Sequence, residues 1–347
     1  SIAARALAAA WGAVSGGRIV RPVTLPSRAR VIGVGGALLG GSGKTPFAIV
    51  LAEELLLRGL EVAVVGHAYR AHPRFPRIVS PTSDVRVVGD DALFAARRLS
   101  PKGIKVIVGP TRRAALEFAA EHASWLIVDG LLQARPAPLA RSLLLVDADT
   151  PWGNGYCPPA GDLRAPVRAL VHASDLVVAL GDRVPRWFQP GDAHDLPFSD
   201  VDAVAQSNLE DTVTIDKKRV PLSELRDLTC ALVLAIARPE RVQLALERRG
   251  IHPVTTFAFP DHHAPSAGEL RWVAQHSTRR IDAWLTTEKC ATKLPKAIAG
   301  APVLTLNHAL RLPAPLVDWV VHGGAGKRSS GPAPAPSLPS SPAQRPW

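Results

Sequence analysis

The run Gly40-Gly41-Ser42-Gly43-Lys44-Thr45-Pro46 limits what this chain can fold into more than any other stretch. The residues before it, Arg30-Val31-Ile32-Gly33-Val34, are apolar and β-branched, which predicts a buried strand. The residues after it place Phe47, Val50, Leu51 and Leu55 at helical spacing, and Gly59 supplies a stop. A strand, a glycine-rich turn and a helix opening on Lys-Thr form a phosphate-binding loop. Glycines let backbone N–H groups turn toward phosphate oxygens, and the helix N-terminus adds partial positive charge. Gly40, Gly41, Ser42, Gly43, Lys44 and Thr45 are therefore the candidate nucleotide-binding residues. Lys44 is expected on the β- and γ-phosphates and the Thr45 hydroxyl on Mg²⁺. The first glycine of the usual G-x4-G-K-[ST] pattern is replaced by Leu38.

Further along, Trp125-Leu126-Ile127-Val128-Asp129 is an apolar strand ending in an acid, the Walker B shape that holds a carboxylate beside Mg²⁺. Residues 61–65, 105–108, 143–146 and 176–180 read as more strands, with helices over 92–99 and 112–121. This alternation predicts an α/β fold, a P-loop NTPase-like doubly wound parallel sheet with ligands at the carboxyl ends of its strands. Asp90 and Asp91 open the helix over 92–99, where acids also suit a helix start for electrostatic reasons alone. Near residue 200 the pattern changes, and strands at 213–215, 230–236, 254–257, 283–286 and 303–306 imply a second, smaller α/β domain. The expected divisions are 1–21, a helix lying on a surface; 22–200, the phosphate-loop domain; 201–322, the smaller domain; and 323–347, a tail rich in Gly, Ser, Pro and Ala that predicts disorder.

The chain has 347 residues, and 41 Lys+Arg against 30 Asp+Glu give a formal charge of +11. That excess favours anionic partners, and by itself leaves nucleotide, anionic lipid and nucleic acid open. Aromatic residues make up 5% of the chain, which argues against single-strand stacking platforms. Cys157, Cys230 and Cys290 lie far apart without a C-x-x-C pattern, so a reducing compartment is expected. No apolar run is long enough for a span. The alanine-rich start, with Leu7, Trp11 and Val14 and then Arg18, Arg21, Arg28 and Arg30, suggests a helix on a surface, either a membrane or the protein itself.

Several motifs resemble those of the tetraacyldisaccharide 4'-kinase (lipid A kinase) family in the same order. They are Val34-Gly35-Gly36 with the phosphate loop, Gly89-Asp90-Asp91, Val108-Gly109-Pro110 with Arg112, and Gly153-Asn154-Gly155 with Pro159-Ala160-Gly161-Asp162-Leu163-Arg164. The smaller domain adds Ala237-Arg238-Pro239-Glu240-Arg241, Phe259-Pro260-Asp261-His262-His263 and Thr286-Thr287-Glu288-Lys289. The family's phosphate loop also lacks the first glycine, in agreement with Leu38.

The resemblance implies ATP-dependent transfer of the γ-phosphate to the 4'-hydroxyl of an acylated glucosamine disaccharide 1-phosphate. It implies Asp90 and His262 as the catalytic pair, Thr45 and Asp129 as Mg²⁺ ligands with Asp91 or a water in the place that Gly130 cannot fill, and closure of the two domains around the substrate. A peripheral location on the cytoplasmic face of the bacterial inner membrane is expected, with an anionic lipid surface as partner, no nucleic acid, and a monomer. The chain departs from the family at several motif positions. Gly130 stands for the second acid after the Walker B strand and Ala134 for a histidine. His67-Ala68 stands for Arg-Gly, Asp91 for a glutamate, and Cys290 for an acid. Two rivals follow: a binding relative that no longer catalyses, and another P-loop small-molecule kinase.

Overall fold

The computed structural model describes residues 2–19, 24–66, 68, 71–132, 140–182, 201–216, 218–277 and 279–323. The departures at His67 and Ala134, and the tail apart from Gly323, lie outside the described residues.

The first half alternates strands with helices. Helix α1 (Ile2–Ile19) leads to β1 (Arg30–Gly36), α2 (Lys44–Leu57) and β2 (Val62–Val65). After these come the short β3 (Arg77–Ile78), α3 (Val85–Val88), α4 (Asp90–Leu99), β4 (Lys105–Val108) and α5 (Arg112–Ala119). Strand β5 (Trp125–Asp129), β6 (Ala140–Asp147), α6 (Val167–His172) and β7 (Leu176–Gly181) complete it. Strands β4, β2, β5, β1, β6 and β7 lie side by side and parallel. Because side chains alternate along a strand, β1 sends Ile32 and Val34 to the core under α2 and α4, and Val31 to the core under α5. Covering both faces requires apolar residues at every position, which is why these strands read as unbroken apolar runs. β1 runs between β5 and β6, from which the sheet extends in opposite directions, so the phosphate loop opens into the crevice at this switch point.

The second half comprises β8 (Ala203–Ile215), β9 (Lys218–Pro221), β10 (Cys230–Leu234), α7 (Pro239–Glu247) and β11 (Thr255–Ala258). It continues with α8 (Ala267–Gln275), β12 (Ala283–Thr287), β13 (Ala297–Ile298), β14 (Ala301–Arg311) and α9 (Ala314–His322). It has its own apolar clusters, around Leu232, Leu285 and Leu304 on one face and Trp284 and Val233 on the other. Its sheet is nonetheless joined to the first. Ala203 to Gln206 of β8 pair in parallel with β7, and Gln206 to Thr214 pair antiparallel with β14. Among the described residues the strands form one sheet of fourteen.

Two helices settle in places that composition did not reveal. Helix α9 returns to the first half, where Leu316, Val317, Val320 and Val321 enter the same core as Phe47, Leu51 and Leu55 of α2. Helix α1 uses both of its faces. Ala8, Gly12 and Gly16 are buried at four-residue spacing, and a Cβ on Gly12 would come within 3.2 Å of Pro166 Cγ at the start of α6. Leu7, Trp11 and Val14 on the other side remain exposed.

The docking of α9 gives a test. Leu316→Ala is expected to lower stability by about 2–5 kcal/mol through lost burial and a residual cavity. Urea unfolding measures it, and an unchanged midpoint would remove α9 from the core of the first half.

Candidate active site

The phosphate loop has the backbone that its glycines predict. Gly40, Gly41 and Gly43 take φ of 85°, 62° and 69°, a region that side chains with a Cβ avoid. Gly43 is the N-cap of α2 and provides no side-chain cap, which leaves the first amides of the helix for an anion. Lys44 Nζ donates to Ser42 Oγ at 2.9 Å. Burial pushes the Lys44 pKa down, opposed by the nearby Asp129 charge.

Leu38 is buried and bridges Leu163 in antiparallel fashion. Leu39 N–H donates to Asp162 O at 2.8 Å, and Arg164 N–H to Ala37 O at 2.8 Å. The missing first glycine is thus a strand-like position that zips the loop onto residues 162–164. On the other side, a Cβ on Gly40 would lie 2.9 Å from Ala237 Cβ, and one on Gly41 3.3 Å from Arg238 Cγ. The Ala237-Arg238-Pro239 motif therefore closes against the loop from the second half. Arg238 reaches Asp162 at 3.2 Å, and Arg241 pairs with Asp147.

The candidate Mg²⁺ ligands come together in part. Thr45 Oγ1 donates to Asp129 Oδ2 at 2.5 Å. Burial pushes the Asp129 pKa up and the Asp91 charge adds to this, while Lys44 and the Thr45 hydrogen bond oppose it. Arg112 and Arg164 are half-buried, and desolvation lowers the pKa of each, while both feel the field of Asp129. Three half-buried cations, Lys44, Arg112 and Arg164, thus lie around Asp129 with Asp91 nearby, a positive environment suited to a polyphosphate. The hydroxyl and carboxylate oxygens of Thr45, Asp129 and Asp91 are hard donors of the kind Mg²⁺ takes.

At Gly130, where the family has its second acid, φ is 81°. Its N–H donates to Val34 O at 2.8 Å and its carbonyl accepts from Arg112 Nη1 at 3.1 Å. The position has become a backbone anchor for Arg112.

Asp90 and His262 are already in contact, with His262 Nδ1 2.8 Å from Asp90 Oδ1, so no closure is needed to bring the pair together. Gly89, the N-cap before Asp90, offers no side chain to the helix. His262 has φ of 64°, and its N–H lies 3.0 Å from Asp261 Oδ1 and 3.3 Å from Ala235 O. Lys289 Nζ is 3.1 Å from Asp91 Oδ1, 3.3 Å from His262 Nε2 and 3.7 Å from Asp261 Oδ1. Lys293 Nζ donates to Asp90 Oδ2 at 2.6 Å. Burial alone would raise the Asp90 pKa, but the His262 hydrogen bond and the Lys289 and Lys293 ammonium groups hold the carboxyl well below its usual range. His263 faces away from this group, binding Glu269 at 2.9 Å and stacking on Phe259.

Lys293 was not legible in the sequence. It stands four residues beyond the Lys289 of a quoted motif and carries no pattern of its own. Cys290, in the place of a family acid, is buried, and its sulfur accepts from Ala235 N at 3.3 Å.

The uncompensated charge around Asp129 predicts coupled binding. Mg²⁺ and ATP together should raise the melting temperature by more than the sum of their separate effects. At one hundred times Kd the added stability is about 2.7 kcal/mol. Thermal denaturation followed by circular dichroism checks this, and a melting temperature indifferent to Mg²⁺ with ATP would contradict the site.

The Tetraacyldisaccharide-1-P 4'-kinase family model matches residues 4–322. The tetraacyldisaccharide 4'-kinase of Methylobacterium sp. (strain 4-46) is 33% identical over 317 residues, which is 89% of this chain and 90% of that protein. That of Anaeromyxobacter dehalogenans (strain 2CP-C) is 32% identical over 287 residues, 79% of this chain and 74% of that one. The fold is similar to that of LpxK from Aquifex aeolicus, solved in complex with ATP, with a TM-score of 0.62 at 21% identity over 92% of this chain and 96% of that chain. With the match running from α1 to the end of α9, the chain belongs to the tetraacyldisaccharide 4'-kinase family.

Proposed function

We propose that the protein is an active, ATP-dependent tetraacyldisaccharide 4'-kinase of lipid A biosynthesis. It transfers the γ-phosphate to the 4'-hydroxyl of an acylated glucosamine disaccharide 1-phosphate. The observation that carries this reading is the Asp90–His262 pair, assembled at 2.8 Å from two distant parts of the chain beside the phosphate loop.

The loop amides and Lys44 bind the β- and γ-phosphates, and Arg112 and Arg164 add positive charge around them. Thr45, Asp129 and Asp91 would hold Mg²⁺, which offsets phosphate charge when bound. Asp90, kept ionised by its neighbours, takes the proton of the sugar hydroxyl as the oxygen bonds to phosphorus and ADP leaves. His262 orients that carboxylate. Asp90, Lys44 and His262 come from one chain, so a monomer suffices. The carboxylate of Asp91, one carbon shorter than the family's glutamate, supports activity despite Gly130, and the rival reading is a relative that binds nucleotide without transfer.

A radiolabelled ATP transfer assay on the disaccharide 1-phosphate in detergent micelles separates the two. The wild type should transfer, and Lys44→Ala should lose at least about 100-fold, the scale of one lost electrostatic donor. No turnover by the wild type across millimolar Mg²⁺ would leave only the binding role.

The substrate's acyl chains require access to a bilayer, and we place the enzyme peripherally on the cytoplasmic face of the inner membrane. Among the described residues no helix is long and apolar enough to cross it. The exposed Leu7, Trp11 and Val14 of α1, with Arg18 in its last turn, support contact with an anionic lipid surface. Full-length protein should float with anionic liposomes and be released by salt, and removal of residues 1–21 should reduce recovery. Equal recovery of both would exclude α1 from membrane contact.

A further inference from the structure

Lys293 belongs to no motif that the function has used, yet its side chain is only 3% exposed. It follows the short helical turn Cys290–Thr292, and its N–H donates to Cys290 O at 3.0 Å, so its backbone is fixed close behind β12. From there the ammonium reaches across to the first half and meets Asp90 Oδ2 at 2.6 Å. The other oxygen, Oδ1, lies 2.8 Å from His262 Nδ1 and accepts from Asp91 N–H at 3.0 Å. Each oxygen of the carboxylate therefore has a different anchor, and together the anchors define its plane. A buried lysine is flexible in principle, but here the turn holds one end and the carboxylate the other.

Accepting a proton during phosphoryl transfer depends on where the base's lone pair points, and a shift of about 1 Å can cost on the order of 100-fold in rate. A carboxylate held by His262 alone could still rotate about the Cβ–Cγ bond. The contact at Oδ2 removes that freedom.

We propose that Lys293 is a positioning residue for the transfer step: its ammonium, on Asp90 Oδ2, locks the plane of the carboxylate that His262 holds at Oδ1. This rests on the reading of Asp90 as the base. Lys289 does not do the same task, since it sits 3.1 Å from Asp91 and 3.3 Å from His262 Nε2, on the other side of the pair.

The test uses the full chain with ATP and the acylated disaccharide 1-phosphate in micelles. It compares the wild type, Lys293→Arg, Lys293→Met and Asp90→Asn. Lys293→Arg keeps the charge but spreads and displaces the donor. It should fold and lose about tenfold in kcat, with KM for both substrates and the affinity for ATP within about twofold. Lys293→Met should lose about 100-fold in kcat with the same unchanged KM. If Lys293→Met does not fold, because it leaves a buried carboxylate without its partner, Lys293→Arg alone decides. Wild-type kcat in Lys293→Arg, or parallel losses in kcat, KM and ATP affinity, would show that the lysine only neutralises charge and would overturn the proposal. Asp90→Asn separates this from the parent reading, since it should lose about 100-fold or more as the loss of a general base requires. Full turnover in Asp90→Asn would remove the base itself and Lys293's role with it.

Discussion

Strand β8 is bonded along both edges, and the placement of the site depends on that. Its first residues extend the parallel sheet of the phosphate-loop half, and its remaining length pairs antiparallel with β14. Strands β10 and β12 run parallel to β14, and so opposite in sense to β7 and β1. In a flat sheet their carboxyl ends would point away from the phosphate loop. Yet Ala237, just beyond β10, touches Gly40, and Lys289, just beyond β12, touches Asp91. Between the two sets of strands lies the β8–β14 pair. Its register shifts between Leu306 and His308, and irregularities of this kind go with stronger local twist, as two-stranded stretches do.

The charges that meet across this junction differ in kind. Around Asp90 and Asp91 the carboxylates are met by His262, Lys289 and Lys293, and the ion pair of Arg98 with Glu288 at 2.8 Å fixes the far end of the same helix. The segment from Thr286 to Lys293 thus grips α4 at both ends. Around Asp129 the balance is tipped the other way, with Lys44, Arg112 and Arg164 gathered about the buried acid and Asp91 nearby. In the first cluster acids and bases are paired with one another, whereas in the second the cations outnumber the acids.

Much of the first half was legible in the sequence because local chemistry decided it. The apolar runs at β1, β2, β4 and β5, buried on both faces, could be little else, and the glycines of the loop take the positive φ that a phosphate turn demands. Asp90 and His262, 172 residues apart, were paired by resemblance and lie in contact. What escaped notice depends on distant partners. Leu38 agrees with the family's loop, but its part in bridging the loop to Leu163 shows only in the fold. Lys293 is one basic residue among many until Asp90 is placed opposite. The two sides of α1 both carry small or apolar residues, so composition offered a choice of surfaces where the helix has one for the protein and another left outside.

The return of α9 to the core beneath α2 bears on how the chain acquires its shape. The helix that carries Lys44 and Thr45 is only partly covered by residues near it in sequence, and the missing apolar cover comes from residues 314–322. Contacts between such distant segments form late, because the loop between them must first be closed. On the ribosome, the first half therefore emerges with an apolar stripe still open to water. It can close that stripe only after the whole second half has been made, so synthesis of the nucleotide-binding half is finished long before its folding can be.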